Sequence, residues 1–446
     1  LGFSQTSLAW VVNAYLLTFG GFLLLGGRLG DLFGQRRLFL GGITLFTVAS
    51  LACGLANSQE TLVAARAVQG LGGAVVSVVA LSLIMTIFTE HAERAKAMGV
   101  IGFVLSGGGA AGVLLGGALT DLLSWHWIFL VNIPVGAAVF ALSLILLPGA
   151  GASVERGKVD VGGAVTVTAS LMIAVYAIVN ANEAGWGSAQ TVGLLTAAAA
   201  LLAIFLAIEA RISMPLVPLG LFRNRNVASA NVVGVLMAAG MFAYFFVSAL
   251  YMQQVLGYTP MEVGLAYLPS TILWGGCSFL LSDRLVLRFG IKKPLVTGLM
   301  LMAAGLVLFA RAPVDGNFAV DILPATVLLG FGAGIGFNPL LLAAMSGVAP
   351  TEAGLASGVV NTAFMMGGAL GLAVLVALAE SRTDSLRSSG DGALAAVNGG
   401  FHAAFLFGAF FVVASALVAL LLRAGPAPSA HAADEPMGVP AAAEAD

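Results

Sequence analysis

Charge is scarce in this chain. Lys, Arg, Asp and Glu make up 9% of its 446 residues, where a soluble domain carries about a quarter, so no water-facing surface can be built from them. Cysteine is scarcer still. Cys53 and Cys277 both sit inside apolar runs, as small buried hydrophobes do, which excludes a disulfide framework and supports no metal site. There is no Walker sequence and no cluster of catalytic side chains. The chain therefore does not read as an enzyme: no cofactor or metal is expected, nucleic acid is not an expected partner, and ATP is not an expected energy source. The net charge of −2 decides little, because in a polytopic chain the placement of charge outweighs its sum.

What is present is hydrophobic: 59% of the residues, with a mean hydropathy of +1.02. About thirteen apolar stretches approach the roughly 20 residues that a spanning helix needs. They run over 8–26, 38–56, 61–88, 97–120, 127–147, 161–181, 191–210, 227–251, 262–281, 294–312, 319–346, 355–379 and 401–422. The expected fold is an all-α polytopic membrane protein embedded in a lipid bilayer. Positive charge sets its orientation. If the turn holding Arg28, Arg36 and Arg37 faces the cytoplasm, so do Arg94, Lys96, Arg156, Lys158, Arg211, Arg223, Arg225, Arg284, Arg288, Lys292 and Lys293, with Arg423 after the last span. The opposite turns hold Arg311, Arg382 and Arg387. This bias puts the C-terminus in the cytoplasm and Leu1 outside.

An odd number of spans sits poorly with paired repeats, and Leu1-Gly2-Phe3-Ser4-Gln5-Thr6 reads as an external loop rather than a signal peptide. One further spanning helix is therefore expected upstream. The halves echo each other: Phe33-Gly34-Gln35-Arg36-Arg37 has a counterpart in Phe289-Gly290-Ile291-Lys292-Lys293, each between two spans. The expected organisation is an N-terminal bundle over 1–150, two linking transmembrane helices over 151–212, and a C-terminal six-helix bundle over 213–423. The stretch 424–446, rich in Pro and Ala and bearing Asp434, Glu435, Glu444 and Asp446, is expected to be a disordered cytoplasmic tail.

Several segments carry a family likeness. Gly26-Gly27-Arg28-Leu29-Gly30-Asp31-Leu32-Phe33-Gly34-Gln35-Arg36-Arg37 is a compact charged turn in which glycines let helix ends approach and Asp31 can face helix termini. It resembles the loop between helices 2 and 3 of the major facilitator superfamily. Arg66, in Leu62-Val63-Ala64-Ala65-Arg66-Ala67-Val68-Gln69-Gly70, lies within a span, where an arginine is costly and faces a cavity or a partner. Gly99, Gly108, Gly112, Gly116 and Gly117 follow on the next span; three of them recur every fourth residue and line one face. Their spacing resembles the antiporter motif of drug exporters, with Val113 where that motif has proline. Trp125-His126-Trp127-Ile128-Phe129-Leu130-Val131-Asn132-Ile133-Pro134-Val135-Gly136 resembles the hallmark of the fourteen-helix drug:proton antiporters, with His126 in place of Arg. Pro215-Leu216-Val217-Pro218-Leu219-Gly220-Leu221-Phe222-Arg223 and Gly354-Leu355-Ala356-Ser357-Gly358-Val359-Val360-Asn361-Thr362 are similar to the same family, although Ala363, Phe364, Met365 and Met366 replace its usual polar residues.

The resemblance implies a major facilitator fold of two six-helix bundles, its first helix missing here, plus two extra central helices. It implies a monomeric secondary transporter of the bacterial inner membrane that exports hydrophobic or amphipathic small molecules in exchange for protons by alternating access. A nutrient symporter and a ligand-binding membrane sensor are the alternatives. In that frame Gly27, Asp31, Gly34, Arg36 and Arg37 form the gate, and the glycine stripe forms a tight helix seam. Arg66 is a candidate for proton coupling, or for a structural bond to backbone carbonyls. Asp321 is the deepest acid near an outer helix end; it is a second coupling candidate, or a first-turn residue favoured by the helix dipole. Phe242, Tyr244, Phe245 and Tyr251, with nearby methionines, suit an adaptable apolar cavity.

Overall fold

In the computed structural model the described residues are 1–88, 93, 108, 111–112, 114–147, 160–212, 215–348 and 353–423, and among them every regular element is helical. In the first half the longer ones are α1 (Gln5–Phe33), α2 (Gln35–Gly54), α3 (Gln59–Ile87) and α4 (Asn132–Leu146), with a further helical stretch over 114–122 and a short turn of helix at Trp127–Leu130. Two central helices follow, α5 (Val161–Ala184) and α6 (Ala189–Glu209). The second half holds α7 (Arg225–Leu250), α8 (Pro260–Leu280), the short α9 (Ser282–Phe289), α10 (Lys292–Phe309), α11 (Leu323–Met345), α12 (Ala353–Ser388) and α13 (Ala393–Ala419). Twelve spans among the described residues are long and apolar enough to cross a membrane. The expected span at 97–120 and the expected tail at 424–446 fall mostly or wholly outside those residues.

Two boundaries differ from the sequence reading. The charged turn at 26–37 is largely helix: α1 runs on through Phe33, and the chain reverses at Gly34. The cause is packing, because Gly26 and Gly30 are buried, and a Cβ at Gly26 would lie 3.3 Å from Val75 Cα of α3. Likewise α12 extends beyond residue 379 through Ser388, with Thr383 buried against Gly400 of α13.

Within a bilayer lipid is as apolar as leucine, so helices associate through close packing and hydrogen bonds rather than through hydrophobic burial. Glycines supply that closeness here. A Cβ at Gly72 of α3 would lie 2.6 Å from Phe46 N of α2, and one at Gly298 of α10 would lie 2.5 Å from Gly332 O of α11. The same helix pairs in each half thus meet backbone to backbone. The internal repeat extends to conformation: Gly34 and Gly290 both have positive φ, +87° and +75°. Any Cβ there would meet open space, so the strain of an added side chain would come from the backbone alone. Gly34→Ala and Gly290→Ala should each lower stability by about 1–3 kcal/mol without disturbing packing. Thermal unfolding of the purified variants would show it, and unchanged midpoints would remove this role from both glycines.

Helices α7, α8 and α10 to α13 share one apolar core, with Tyr251, Met302, Phe309 and Phe405 at 0% exposure. The central pair is fastened to the rest. Ser170 of α5 donates to Ala198 O of α6 at 2.7 Å, and Asn182 of α5 donates to Ala377 O of α12 at 2.7 Å. Leu16 and Leu17 of α1 pack with Val175 and Val179 of α5 and with Ala369 and Ala373 of α12. Helix α5 therefore lies along the junction where α1 meets α12.

Candidate functional site

A cavity of about 350 Å³ opens at that junction. Gly21 and Leu24 of α1, Val167 of α5, Phe205 of α6, Val235 of α7 and Ala363 of α12 contribute walls, and Leu216, Val217 and Phe222 close it from the connection between α6 and α7. The residues from α1 come from its second half, those from α7 and α12 from their first halves, so the cavity occupies the half of the molecule nearer Gly34. Arg36, Arg37, Lys292, Lys293 and Arg423 make that end basic, and contacts join helix ends there. Arg36 donates to Leu144 O at 2.7 Å, Lys292 donates to Leu420 O, and Asn226 accepts from Arg423 N at 2.9 Å.

The lining is aliphatic and aromatic apart from Asn231 and Thr362, and each of these carries a buried oxygen without a hydrogen-bond partner: Asn231 Oδ1 and Thr362 Oγ1. The Asn231 amide nitrogen is occupied by Val227 O at 2.9 Å. A buried polar atom left unpaired costs about 1–3 kcal/mol. An apolar pocket holding a few such atoms has the composition of a small-molecule site, where apolar walls take the body of a ligand and polar atoms orient it. Leu216, Val217, Phe222, Val359, Thr362, Ala363 and Met366 lie in or beside segments noted in the sequence for their family likeness, but nothing there marked them as cavity walls, and Gly21, Val167, Phe205 and Val235 carried no signal at all.

The expected aromatic cavity residues sit elsewhere. Tyr244 donates to Ser270 at 2.8 Å and Tyr251 to Pro313 O at 2.7 Å, both inside the α7–α13 core. Tyr244 and Phe245 border a void of about 10 Å³, too small for a ligand, and Phe242 packs on Phe364 with ring centroids 6.3 Å apart. Their hydroxyls and rings hold helices together.

Arg66 makes neutral contacts. Its Nε donates to Val11 O and its Nη1 to Gln69 Oε1, both at 2.7 Å, and its guanidinium lies 4.3 Å from the Tyr15 ring centroid. Gln69 in turn donates to Ser50 at 2.7 Å, so one arginine ties α1, α2 and α3. Lysine keeps the charge but loses the planar fork. Arg66→Lys should therefore cost about 1.5–3 kcal/mol, read as a lower unfolding temperature; equal stability would leave Arg66 free for a purely electrostatic role. Asp321 accepts from Asn317 N at 2.7 Å, a local cap at the start of a helical turn, and the structure does not bring it to Arg66.

Of the gate residues, Gly34 makes the turn, Arg36 reaches Leu144 and Arg37 is exposed. Gly27 lies within α1, while the Asp31 side chain falls outside the described residues. Gly99 does too. A Cβ added at Gly108 or Gly112 would meet no described atom within 4 Å, whereas one at Gly116 would lie 3.7 Å from Ile128 and one at Gly117 would lie 2.6 Å from Pro260 O. Among the described residues the tight approach along this stripe falls at Gly117, against the start of α8.

Comparison with known proteins decides the family. The family model described as Major Facilitator Superfamily matches residues 1–372. The chain belongs to the major facilitator superfamily. This facilitator is 40% identical over 424 residues to the puromycin resistance protein pur8 of Streptomyces alboniger, covering 94% of this chain and 84% of that protein. It is 38% identical over 385 residues to the cephamycin export protein CmcT of Amycolatopsis lactamdurans, covering 86% and 79%. A crystal structure of an auto-inhibited peptide transporter of the POT family superposes with a TM-score of 0.64 at 18% identity, covering 95% of this chain and 91% of that one. At such identity the likeness bears on the fold alone. As a member of this superfamily the protein is a multi-pass membrane transporter and not an enzyme.

Proposed function

We propose that this facilitator exports small hydrophobic or amphipathic molecules of antibiotic type in exchange for protons, its two bundles rocking about the junction of α1 and α12. The cavity carries the reading: an apolar chamber between the halves whose two polar lining residues, Asn231 and Thr362, each keep an unpaired oxygen buried at its wall. Puromycin and cephamycin, named in the relatives, combine apolar and hydrogen-bonding parts, as such a chamber requires. We place the chain in the fourteen-helix drug:proton antiporter family on the strength of its motifs and its two central helices. The basic end then faces the cytoplasm with the C-terminus, as positive charge near spans favours, in the bacterial inner membrane. The cavity faces the same side, suited to loading substrate before export. Gly34 and Arg36 serve the cytoplasmic gate, where Arg36 holds the end of α4.

Everted vesicles from a pump-deficient host provide the test. Labelled puromycin should accumulate when a proton gradient is imposed and should leak away when a protonophore collapses it. Accumulation independent of the gradient would overturn proton antiport. Binding without accumulation would point to a ligand sensor, and movement in the same direction as protons to a symporter.

A further inference from the structure

Two carboxylates that the transport reading does not use meet at the basic end of the central helices. Asp160 precedes α5 and Glu209 ends α6; they are 4% and 3% exposed. Each has one oxygen engaged by a backbone amide. Gly163 N donates to Asp160 Oδ1 at 2.7 Å, and Val217 N donates to Glu209 Oε2 at 3.1 Å. The other two oxygens, Asp160 Oδ2 and Glu209 Oε1, are buried without a hydrogen-bond partner. They share one spot: a Cβ on Gly163 would lie 2.9 Å from Glu209 Oε1 and closer still to Asp160 Oδ2. Only glycine leaves room there for both.

The surroundings supply no compensating cation among the described residues. Arg211, just past α6, is exposed, and so are Arg223 in the α6–α7 connection and Arg225 at the start of α7. From α1 the packing residues are Phe22, Leu24, Leu25 and Leu29, and from α5 and the α6–α7 connection they are Ala164, Leu216 and Val217. Among the described residues, the one charged group that acts on Glu209 is Asp160. Arg28, Asp31, Glu155, Arg156 and Lys158, which belong to this end by sequence, fall outside the described side chains. Two ionised carboxylates in such an apolar setting repel and are poorly solvated. One proton placed between Oδ2 and Oε1 removes a charge and pairs both orphaned oxygens at once.

We propose that Glu209 carries a proton on Oε1 and donates it to Asp160 Oδ2, and that loss of this proton moves the wall of the substrate cavity. Glu209 reaches that wall directly, since Val217, its amide partner, lines the cavity with Leu216, and Phe205 stands one helical turn before it. With the proton present, the pair is neutral apart from one shared charge and the wall is held inward. When the proton leaves to water at the basic end, two like charges face each other. The repulsion displaces Glu209 and draws the segment at Val217 away from α1 and α12, widening the chamber. This deepens the proton-antiport reading and rests on it for its physiological use, but the site itself can be read without transport.

Infrared titration of the purified full-length chain tests the site. The parent should show, at neutral pH, the C=O band of one protonated carboxyl that disappears on alkalinisation. Glu209→Gln should abolish that band, whereas Asp160→Asn, which removes only the neighbouring charge from a carboxyl that stays buried, should move its disappearance to lower pH; Glu209→Gln still offers Val217 N an acceptor, so folding should survive. Amide hydrogen exchange over 215–222, corrected for its intrinsic pH dependence, should rise on alkalinisation in the parent and stay level in both variants. Spectra unchanged in both variants, or identical exchange in parent and variants, would overturn the proposal. Proton-driven export with unchanged spectra would place coupling at another group. The band without proton-driven export would keep the site and overturn antiport instead.

Discussion

Gly371→Leu should remove the folded protein from the membrane. Gly371 of α12 lies on α7: a Cβ there would sit 2.5 Å from Ala239 Cα, and one turn earlier a Cβ at Gly367 would sit 2.5 Å from Val235 Cα. Backbone cannot yield as a side-chain tip does, so the helices must part along their length. Overpacking in cores costs about 1–3 kcal/mol and more where nothing can shift, and here the seam is central to the second half. The expected result is loss of the monodisperse peak in size-exclusion chromatography of the solubilised protein. Gly220→Leu, at a position whose Cβ would meet nothing within 4 Å, is the matched control. A normal peak for Gly371→Leu would mean that α7 and α12 are not in close contact in the membrane.

Ala363→Phe should abolish export while leaving the fold in place. Ala363 is only partly buried and faces the cavity, so a larger ring has space to occupy, and what it occupies is the room for substrate. If the ring displaces contacts worth about 1.4 kcal/mol or more, apparent affinity falls at least roughly tenfold. Drug tolerance of a pump-deficient host, compared at equal protein levels, measures it. Undiminished tolerance would show that substrate passes elsewhere. Thr362→Val removes an unpaired hydroxyl at nearly constant shape and separates the two requirements: a substrate that bonds to it should lose affinity, while a purely apolar one should gain or hold.

The spans were legible because a run of apolar residues can be satisfied in lipid only as helix, and α2, α3, α5, α6 and α10 follow those runs to within a few residues. The repeat was legible at Gly34 and Gly290, where the same short string requires the same turn. Charge misled at 26–33. Arg28 and Asp31 suggest a loop, but Gly26 and Gly30 press α1 onto α3 and the helix continues. The cavity was not legible, since Gly21, Val167 and Val235 have no chemistry to mark them, and the substitution noted at Ala363 acquires a role only through tertiary placement. Aromatic residues drew attention to α7 instead, and there Tyr244 and Tyr251 spend their hydroxyls on Ser270 and Pro313. Asp160 and Glu209 looked like acids at span ends, because nothing in the sequence announces that the beginning of α5 and the end of α6 are folded against each other.

The turns at Gly34 and Gly290 limit how the molecule can move. A connection of one or two residues keeps the end of α1 beside the start of α2, and the end of α9 beside the start of α10, so neither end can be displaced without carrying its neighbour. The rocking proposed above has longer joints to draw on. The connection from α6 to α7 is such a joint, and Glu209 grips it at Val217. The point where the machine bends is also the point where a single proton can be felt.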